Sequence, residues 1–385
     1  MTTINYQRLL EGHYEAERFP KDFSPERIVP DFAFNVLNTM GLLYRPVVDE
    51  HFVNNGGQKP VWPDGKAFAV CLTHDVDAVS LYSLKQSLRS RLTQLLNAEN
   101  AFQKVKNGVG IGIDLANKVI HRNQKDPLHC YERWLEVEKK VGARSTFFFW
   151  PGLSTVTKRH HTDRAYELYD PVVFDNQKCT VAEMIREINL SGWEIGLHPS
   201  WYSYNDVDEL KRQKESLEKA LCNEVVSIRQ HYLHYDIRIT PCVHTGAGFK
   251  YDSTLGFNDN VGFRFGTCYP WRLYDLKREE DLPVIEIPLI VQDGAMLNPA
   301  KGLRLDEDTA FRYVIQMTEE VEKVGGVLTL LWHPNWIIIP HWWDLYLRTL
   351  EYLQHKNAWF CSVKEVGDWW KHFILAFRQD KGLGE

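Results

Sequence analysis

The chain has 385 residues, with 45 Lys and Arg against 51 Asp and Glu, for a net charge of -6. Its hydrophobic set of 44% supports a sizeable core, and its length suits one large α/β barrel with additions or two ordinary domains. The absence of any basic block leaves non-specific nucleic-acid binding without electrostatic support, and no run approaches the roughly 20 apolar residues that span a bilayer.

In chain order, residues 1–66 read as an N-terminal extension of helical patches, with turns at Pro30, Gly56-Gly57, Pro60, Pro63 and Gly65 and room for a short hairpin. The apolar run Phe68 to Thr73 follows, a buried strand of the kind found in parallel sheets. It ends in His74-Asp75-Val76-Asp77. The two carboxylates, two residues apart, project to the same side of an extended chain, and such a pair is costly unless a cation or a proton relieves it.

Residues 78–126 interrupt the barrel as a helical insertion. Leu84, Leu88, Leu92, Leu95 and Leu96 have helical spacing, Leu115 to Val119 resumes it, and Gly108, Gly110 and Gly112 break it between. No buried strand precedes these glycines, so they read as a hinge rather than a phosphate loop. The insertion leaves the chain at the acidic strand end, where it is expected to roof the site.

From Asp126 helices alternate with strands. Helices are predicted at 131–141, 180–190, 207–221, within 303–324 and at 343–355. Strands are predicted at 145–150, 193–197, 225–228, 251–255, 284–291, 327–331 and 359–363. The expected fold class is α/β, a distorted (β/α)7-type barrel over 67–370 with a C-terminal tail at 371–385.

Polar residues fall just after the buried runs: Asp75 and Asp77, then His198, Arg229 and His231, then His333, with Asp252 on the 251–255 strand. The carboxyl ends of barrel strands carry the chemistry, so these residues are expected to converge on one mouth. Asp293, after Val291, is expected either to reach the same cleft or to serve as a structural cap.

The order HDVD, GLHPS, RQHYL, YDSTLG, LWHP resembles the polysaccharide deacetylase superfamily, carbohydrate esterase family 4-like, in the subgroup whose first motif reads THDVD. The resemblance runs from about Lys66 to Val366. It implies removal of an acetyl group from an acetylated sugar by a divalent metal, Zn2+ first, with Co2+, Ni2+ or Mn2+ as alternatives. It also implies roles. Asp75 is the base toward a metal-activated water, Asp77 and His198 bind the metal, and Arg229 orients Asp75. His333 is the acid for the leaving group, and Asp252 holds His333. The implied partners are an acetylated sugar, a nucleotide-sugar or a lipid-linked glycan.

The chain departs from the family pattern in one place. A second His is expected four residues after His198, and Tyr202 stands there. A catalytic zinc usually takes three protein ligands. His231 ranks first as the third, sharing strand phase with Arg229, and His74 ranks second. Two other readings accompany this one: a non-catalytic carbohydrate-binding barrel that has lost its metal, and a hydrolase of a non-sugar amide.

Trp332 and Trp336 flank His333 and are candidates for substrate contact. So are Arg264 and Tyr269, in an aromatic segment, 262–271, expected to form a loop on the mouth. The pairs Trp342-Trp343 and Trp369-Trp370 read as core, and His160-His161 as a solvated loop. Seven scattered cysteines without a CxxC pair, and an N-terminus lacking signal-peptide regions, suggest reduced thiols in a cytoplasmic protein.

Overall fold

The predicted run after Ala67 is strand β1, Phe68–Val76, buried over its whole length. The computed structural model describes residues 4–19, 32–96, 110 and 124–380. The further strands are β2 (Thr146–Phe149), β3 (Pro171–Phe174), β4 (Gln177–Thr180), β5 (Glu194–Leu197), β6 (Ser227–Ile228), β7 (Tyr251–Asp252), β8 (Trp271–Asp275), β9 (Glu280–Glu286), β10 (Val291–Gln292), β11 (Val327–Leu331) and β12 (Ala358–Cys361).

From β1 the parallel ladder runs through β2, β5, β6 and β7 to β9, and on the other edge of β1 lies β11, paired in parallel with β10. Between β9 and β10 the chain crosses from β7 to β11. Ile287 N donates to the Asp252 carbonyl at 2.8 Å, and Ile290 N to the Thr329 carbonyl at 3.2 Å. The single strand expected over 284–291 is therefore the end of β9 and the two-residue β10, separated by a bend. With β9 and β10 counted as one bent strand, seven members return to β1, the distorted (β/α)7-type arrangement. β12 pairs with Phe68–Cys71, the half of the β1 edge that β2 leaves free. β8 adds antiparallel to β9, and β3 and β4 form a separate hairpin.

Side-chain parity divides the core in two. Ala69, Cys71, Phe148, Tyr251, Ile285, Ile287 and Val327 fill the barrel interior with Trp62, Val363, Val366 and Trp370. Val70, Leu72, Val76, Phe147, Phe149, Leu197, Ile228, Leu328 and Leu330 face the surrounding helices. Trp62 packs on Trp369 with ring centroids 4.5 Å apart. The Trp62 cluster and the helix Val363–Asp380 therefore stop the amino-terminal end of the barrel, leaving the carboxyl end open. Trp342, Trp343 and Trp370 are core residues, as expected.

The helix after β4 starts on a capping box, Thr180 with Glu183, which satisfies two free N–H groups reciprocally. The later helices Val207–Leu221 and Glu307–Val324 start on Asp206 and Asp306.

The described residues of the N-terminal extension form short helices joined by turns and irregular chain, and they cover the 262–268 segment. Phe263 N donates to the Leu43 carbonyl at 2.9 Å and Val48 N to the Gly266 carbonyl at 2.8 Å. Arg264 is 2% exposed and grips Glu15 with two bonds of 2.6 and 2.9 Å. Asp49 accepts from Thr267 Oγ and Cys268 N, at 2.6 and 2.7 Å. Tyr269 donates to the Val324 carbonyl at 2.6 Å. The expectation that Arg264 and Tyr269 contact substrate on the mouth is therefore corrected. Phe263 and Phe265, at 0% and 3% exposure, draw this loop under the extension instead of leaving it over the cleft.

In the insertion the structure has the helix Leu84–Leu96. Asp126 ties the two ends of the insertion together, accepting from Ser80 Oγ, Leu81 N, Tyr82 N and Leu128 N at 2.5–3.0 Å. The helix expected at Leu115 to Val119 lies outside the described residues, as do Gly108 and Gly112. Among the described residues no helix is long and apolar enough to cross a membrane.

Candidate metal and catalytic site

At the open end, Asp75 and Asp77 project inward from the end of β1 because they share the parity of Cys71 and Thr73. His198 follows β5, while His231 lies on the short turn His231–Leu233 after β6. One atom of each of Asp77, His198 and His231 lies within 4.8 Å of the others. The sides of this triangle are 3.1 Å between His231 Nδ1 and His198 Nε2, 3.6 Å from His198 Nε2 to Asp77 Oδ1, and 3.9 Å from His231 Nδ1 to Asp77 Oδ1. Such a triangle leaves a point about 2.1 Å from all three atoms, the length of a zinc bond to nitrogen or oxygen.

The hydrogen bonds around the rings decide what those atoms offer. His198 Nδ1 donates to the Arg229 carbonyl at 2.8 Å, and His231 Nε2 donates to the Thr162 carbonyl at 3.0 Å. In the neutral rings, therefore, both nitrogens that face each other carry lone pairs. Burial, Arg164 and His198 hold His231 well below the ordinary imidazole range, so it is neutral. Asp77 Oδ1 is buried without a hydrogen-bond partner. Three acceptors converging with no proton between them are repulsive on their own, and a cation turns that repulsion into binding. The residues fit a divalent metal.

Arg164 reaches Asp77 Oδ2 at 2.5 Å. Burial alone would raise Asp77, but Arg164 and the histidines outweigh it and hold the carboxyl far below its usual range, so it is a carboxylate. Arg229 is fully buried. It donates to Ser253 O and Ser253 Oγ at 2.7 Å, to Thr73 Oγ1 at 2.6 Å and to Asp75 Oδ1 at 3.3 Å. Its guanidinium lies 4.7 Å from the Phe148 ring centre. Phe148 fits there because the residue beside it is Gly196, where an added Cβ would come within 2.5 Å of the ring.

His333 follows β11. Its Nδ1 donates to Asp293 Oδ1 at 2.7 Å and its backbone N to Asp293 Oδ2 at 2.8 Å, while Nε2 points into the cleft, 4.0 Å from Asp77 Oδ2. Burial works against the imidazolium, yet Asp293 and, behind it, Asp77 and Asp75 push His333 up to about 9.

No family model and no curated protein sequence matches the chain. Solved structures do. A protein of Mycobacterium smegmatis described as a polysaccharide deacetylase is 19% identical, with 83% of this chain and 95% of that one covered at a TM-score of 0.54. One of Pseudomonas aeruginosa PAO1, also described as a polysaccharide deacetylase, is 15% identical, with 83% and 97% covered and a TM-score of 0.52. The allantoinase Puue is 14% identical, with 82% and 94% covered and a TM-score of 0.50.

The chain has the fold of the polysaccharide deacetylases.

Within the deacetylase fold, Asp75, Asp77, His198, Arg229, His231 and His333 meet at one mouth, and Asp252 does not. Asp252 is in register with Ile228 and Glu286, and through Ile228 and Leu197 with Phe149 and Val76, all on the outward face. Its Oδ2 accepts from His244 Nδ1 at 2.7 Å, on the helix Thr240–Gly246. The expected bond from Asp252 to His333 is corrected: Asp293 makes it. His74 likewise faces outward, donating to the Trp332 carbonyl at 2.7 Å and to Glu138 at 2.6 Å, so it cannot serve as the alternative third ligand.

Trp332 shares that outward parity. It is 1% exposed and packs on Tyr346 with ring centroids 5.5 Å apart, which removes it from substrate contact, whereas Trp336 lines the cleft. His160 is not solvated: it is 3% exposed and stacks on Trp201 with ring centroids 4.1 Å apart. Tyr202 lies by His160 and Lys158, outside the metal triangle.

The cleft has a volume of about 570 Å³ and also takes in Arg164, Tyr232 and Lys301. Sequence reasoning did not single these out: Arg164 and Lys301 lie in connections well beyond the nearest buried strand, and Tyr232 carries no signal of its own beside His231. Asp293 did carry such a signal, since it directly follows the buried residues of β10.

Asp293→Asn is expected to lower kcat by about 10–10⁴-fold, from the cost of losing an outer partner of a metal histidine to that of losing the carboxylate behind an acid–base histidine. Metal content should stay unchanged, because His333 is outside the triangle. Steady-state acetate release and elemental analysis check both, and a variant of wild-type activity would remove Asp293 from the site.

Proposed function

We propose that the protein is a metal-dependent hydrolase that removes an acetyl group from an acetylated sugar or a sugar-linked intermediate such as a nucleotide-sugar or a lipid-linked glycan. The observation that carries this reading is the convergence of three lone-pair atoms, from Asp77, His198 and His231, with the Asp75 carboxylate and the His333 imidazolium beside them, 3.9 Å from His198 and 4.0 Å from Asp77. The order of motifs and the fold support the same class.

A divalent metal held by Asp77, His198 and His231, with Zn2+ the first choice, supplies a polarised carbonyl and an acidified water. Asp75, fixed by Arg229, takes the proton of the attacking water as its oxygen bonds to the acyl carbon. His333, oriented by Asp293, gives its proton to the leaving amine or alkoxide as that bond breaks. The products are acetate and the free amine or hydroxyl. A base and an acid lining one cleft have no use in a pure binding barrel, which favours the enzyme over the non-catalytic reading. A non-sugar amide is the second reading, favoured by the allantoinase among the structural neighbours. A cytoplasmic location accords with seven free thiols.

The test is acetate release from N- and O-acetylated sugars, nucleotide-sugars and lipid-linked glycans by protein reconstituted with Zn2+, Co2+, Ni2+ or Mn2+, with ring-opening hydrolysis of allantoin to allantoate as the non-sugar arm. Release that requires metal is expected. No acetate from any substrate with any of the four metals would reject the sugar deacetylase.

A further inference from the structure

The wall of the metal cleft carries more positive than negative charge. The acids Asp75 and Asp77 line it against the cations Arg164, Lys301 and His333. Arg229 and Asp293, directly behind, offset each other. A divalent metal adds its own positive charge to this excess, in a chain whose net charge is -6. A neutral sugar brings nothing to answer it.

Two of the cations flank one ring. The Arg164 guanidinium lies 5.7 Å and the Lys301 amine 4.9 Å from the centre of the Tyr232 ring. Arg164 is tied to Asp77, which a metal would share, and its Nε–H is buried without a hydrogen-bond partner. Lys301 comes to this ring from the connection after the helix Asp293–Leu297, and it has no ion pair and no hydrogen bond among the described residues. Burial pulls its amine below the ordinary lysine range, while Asp259 and Asp77 pull the other way from a distance. Cations gathered and partly desolvated in this way are costly unless an anion relieves them.

The backbone is bent to put Tyr232 between them. Tyr232 and Leu233 have φ of 56° and 50°, two successive left-handed residues that carry side chains. Such conformations persist only where the surroundings hold them, and they gather at ligand clamps. Asn258, also on the cleft, holds this one by donating from Nδ2 to the Tyr232 carbonyl. The turn thus presents a metal ligand, His231, and next to it a ring set between two cations.

We propose that Arg164, Tyr232 and Lys301 form an anion site beside the metal, which takes a phosphate or carboxylate group of the molecule whose acetyl group is removed. That the anion and the scissile acetyl group share one molecule rests on the function proposed above; the anion site itself does not. The substrate class is then an acidic acetylated sugar, either a sugar phosphate or a uronic acid, and Lys301 is the residue that selects it over a neutral one. Guanidinium and ammonium supply charge-assisted hydrogen bonds to such a group.

The test uses the full chain carrying Asp75→Asn, which slows turnover, loaded with Zn2+ and checked by elemental analysis. Calorimetry compares N-acetylglucosamine with its 1-phosphate, its uridine diphosphate conjugate and its uronic acid, N-acetylglucosaminuronic acid. At low salt at least one acidic form is expected to bind about tenfold or more tightly than the neutral sugar, the worth of one charge-assisted contact. Which form gains most distinguishes phosphate from carboxylate. Adding Lys301→Met is expected to remove most of that gain, with thermal melting to confirm the fold. High salt is expected to weaken the gain in the unaltered cleft, a second measurement that needs no variant. A gain below tenfold for all three acidic forms overturns the proposal. So does a gain that survives both Lys301→Met and high salt, because an anion seated on the metal itself would behave in that way. Selective binding of the acidic forms without acetate release by the wild type leaves the anion site standing and sinks the deacetylase. Acetate release from neutral and acidic sugars with equal affinity does the reverse.

Discussion

Asp75→Asn is expected to lower kcat for acetate release by about 10²–10⁴, the contribution of a positioned general base, which corresponds to about 3–5 kcal/mol of transition-state stabilisation. The substitution keeps the shape and one acceptor oxygen, so Arg229 retains a partner there besides Ser253 and Thr73. Asp75 contributes no atom to the metal triangle, so the metal content should remain that of the wild type. Kinetics and elemental analysis on the same preparation separate base from ligand. Turnover within tenfold of the wild type would show that another group takes the proton. Loss of metal with activity preserved would exchange the roles of Asp75 and Asp77.

His231→Ala is expected to abolish stoichiometric metal binding. The triangle has three protein atoms, and removing one should cost more than the roughly 10–100-fold that loss of an outer-shell partner costs. Tyr202→Phe is the paired control. Tyr202 occupies the place in the sequence where the family pattern puts a second histidine, yet its ring packs against His160 and under Lys158. Metal content of that variant should equal the wild type. A competition titration with a chromogenic chelator measures both. Equal affinity in His231→Ala and wild type would mean that His231 is an ordinary buried histidine and that the third ligand comes from elsewhere.

These two substitutions show where the sequence sufficed. The strand end HDVD is legible because a fully apolar run must be buried and two acids two residues apart must share a face. The same period of two places Trp332 and His74 on the outer face, since they have the parity of Leu72 and Leu330, and it places His333 inside. Applied strictly, that rule alone would have removed both from the substrate and ligand sets. It did not help with Asp252, because β6 and β7 have only two residues each and their phase is set by neighbouring strands rather than by their own pattern.

From sequence alone came the barrel class, the acidic strand end and most of the residues that meet there, because burial and alternation are local properties of a strand. Only the tertiary structure decided three things: that Asp293 rather than Asp252 backs His333, that the aromatic 262–268 loop is covered by the N-terminal extension, and that Arg164 reaches Asp77. Each joins segments far apart in the chain. A hydrogen bond or ion pair of that kind depends on where two backbones end in space, and no periodicity within either segment encodes it.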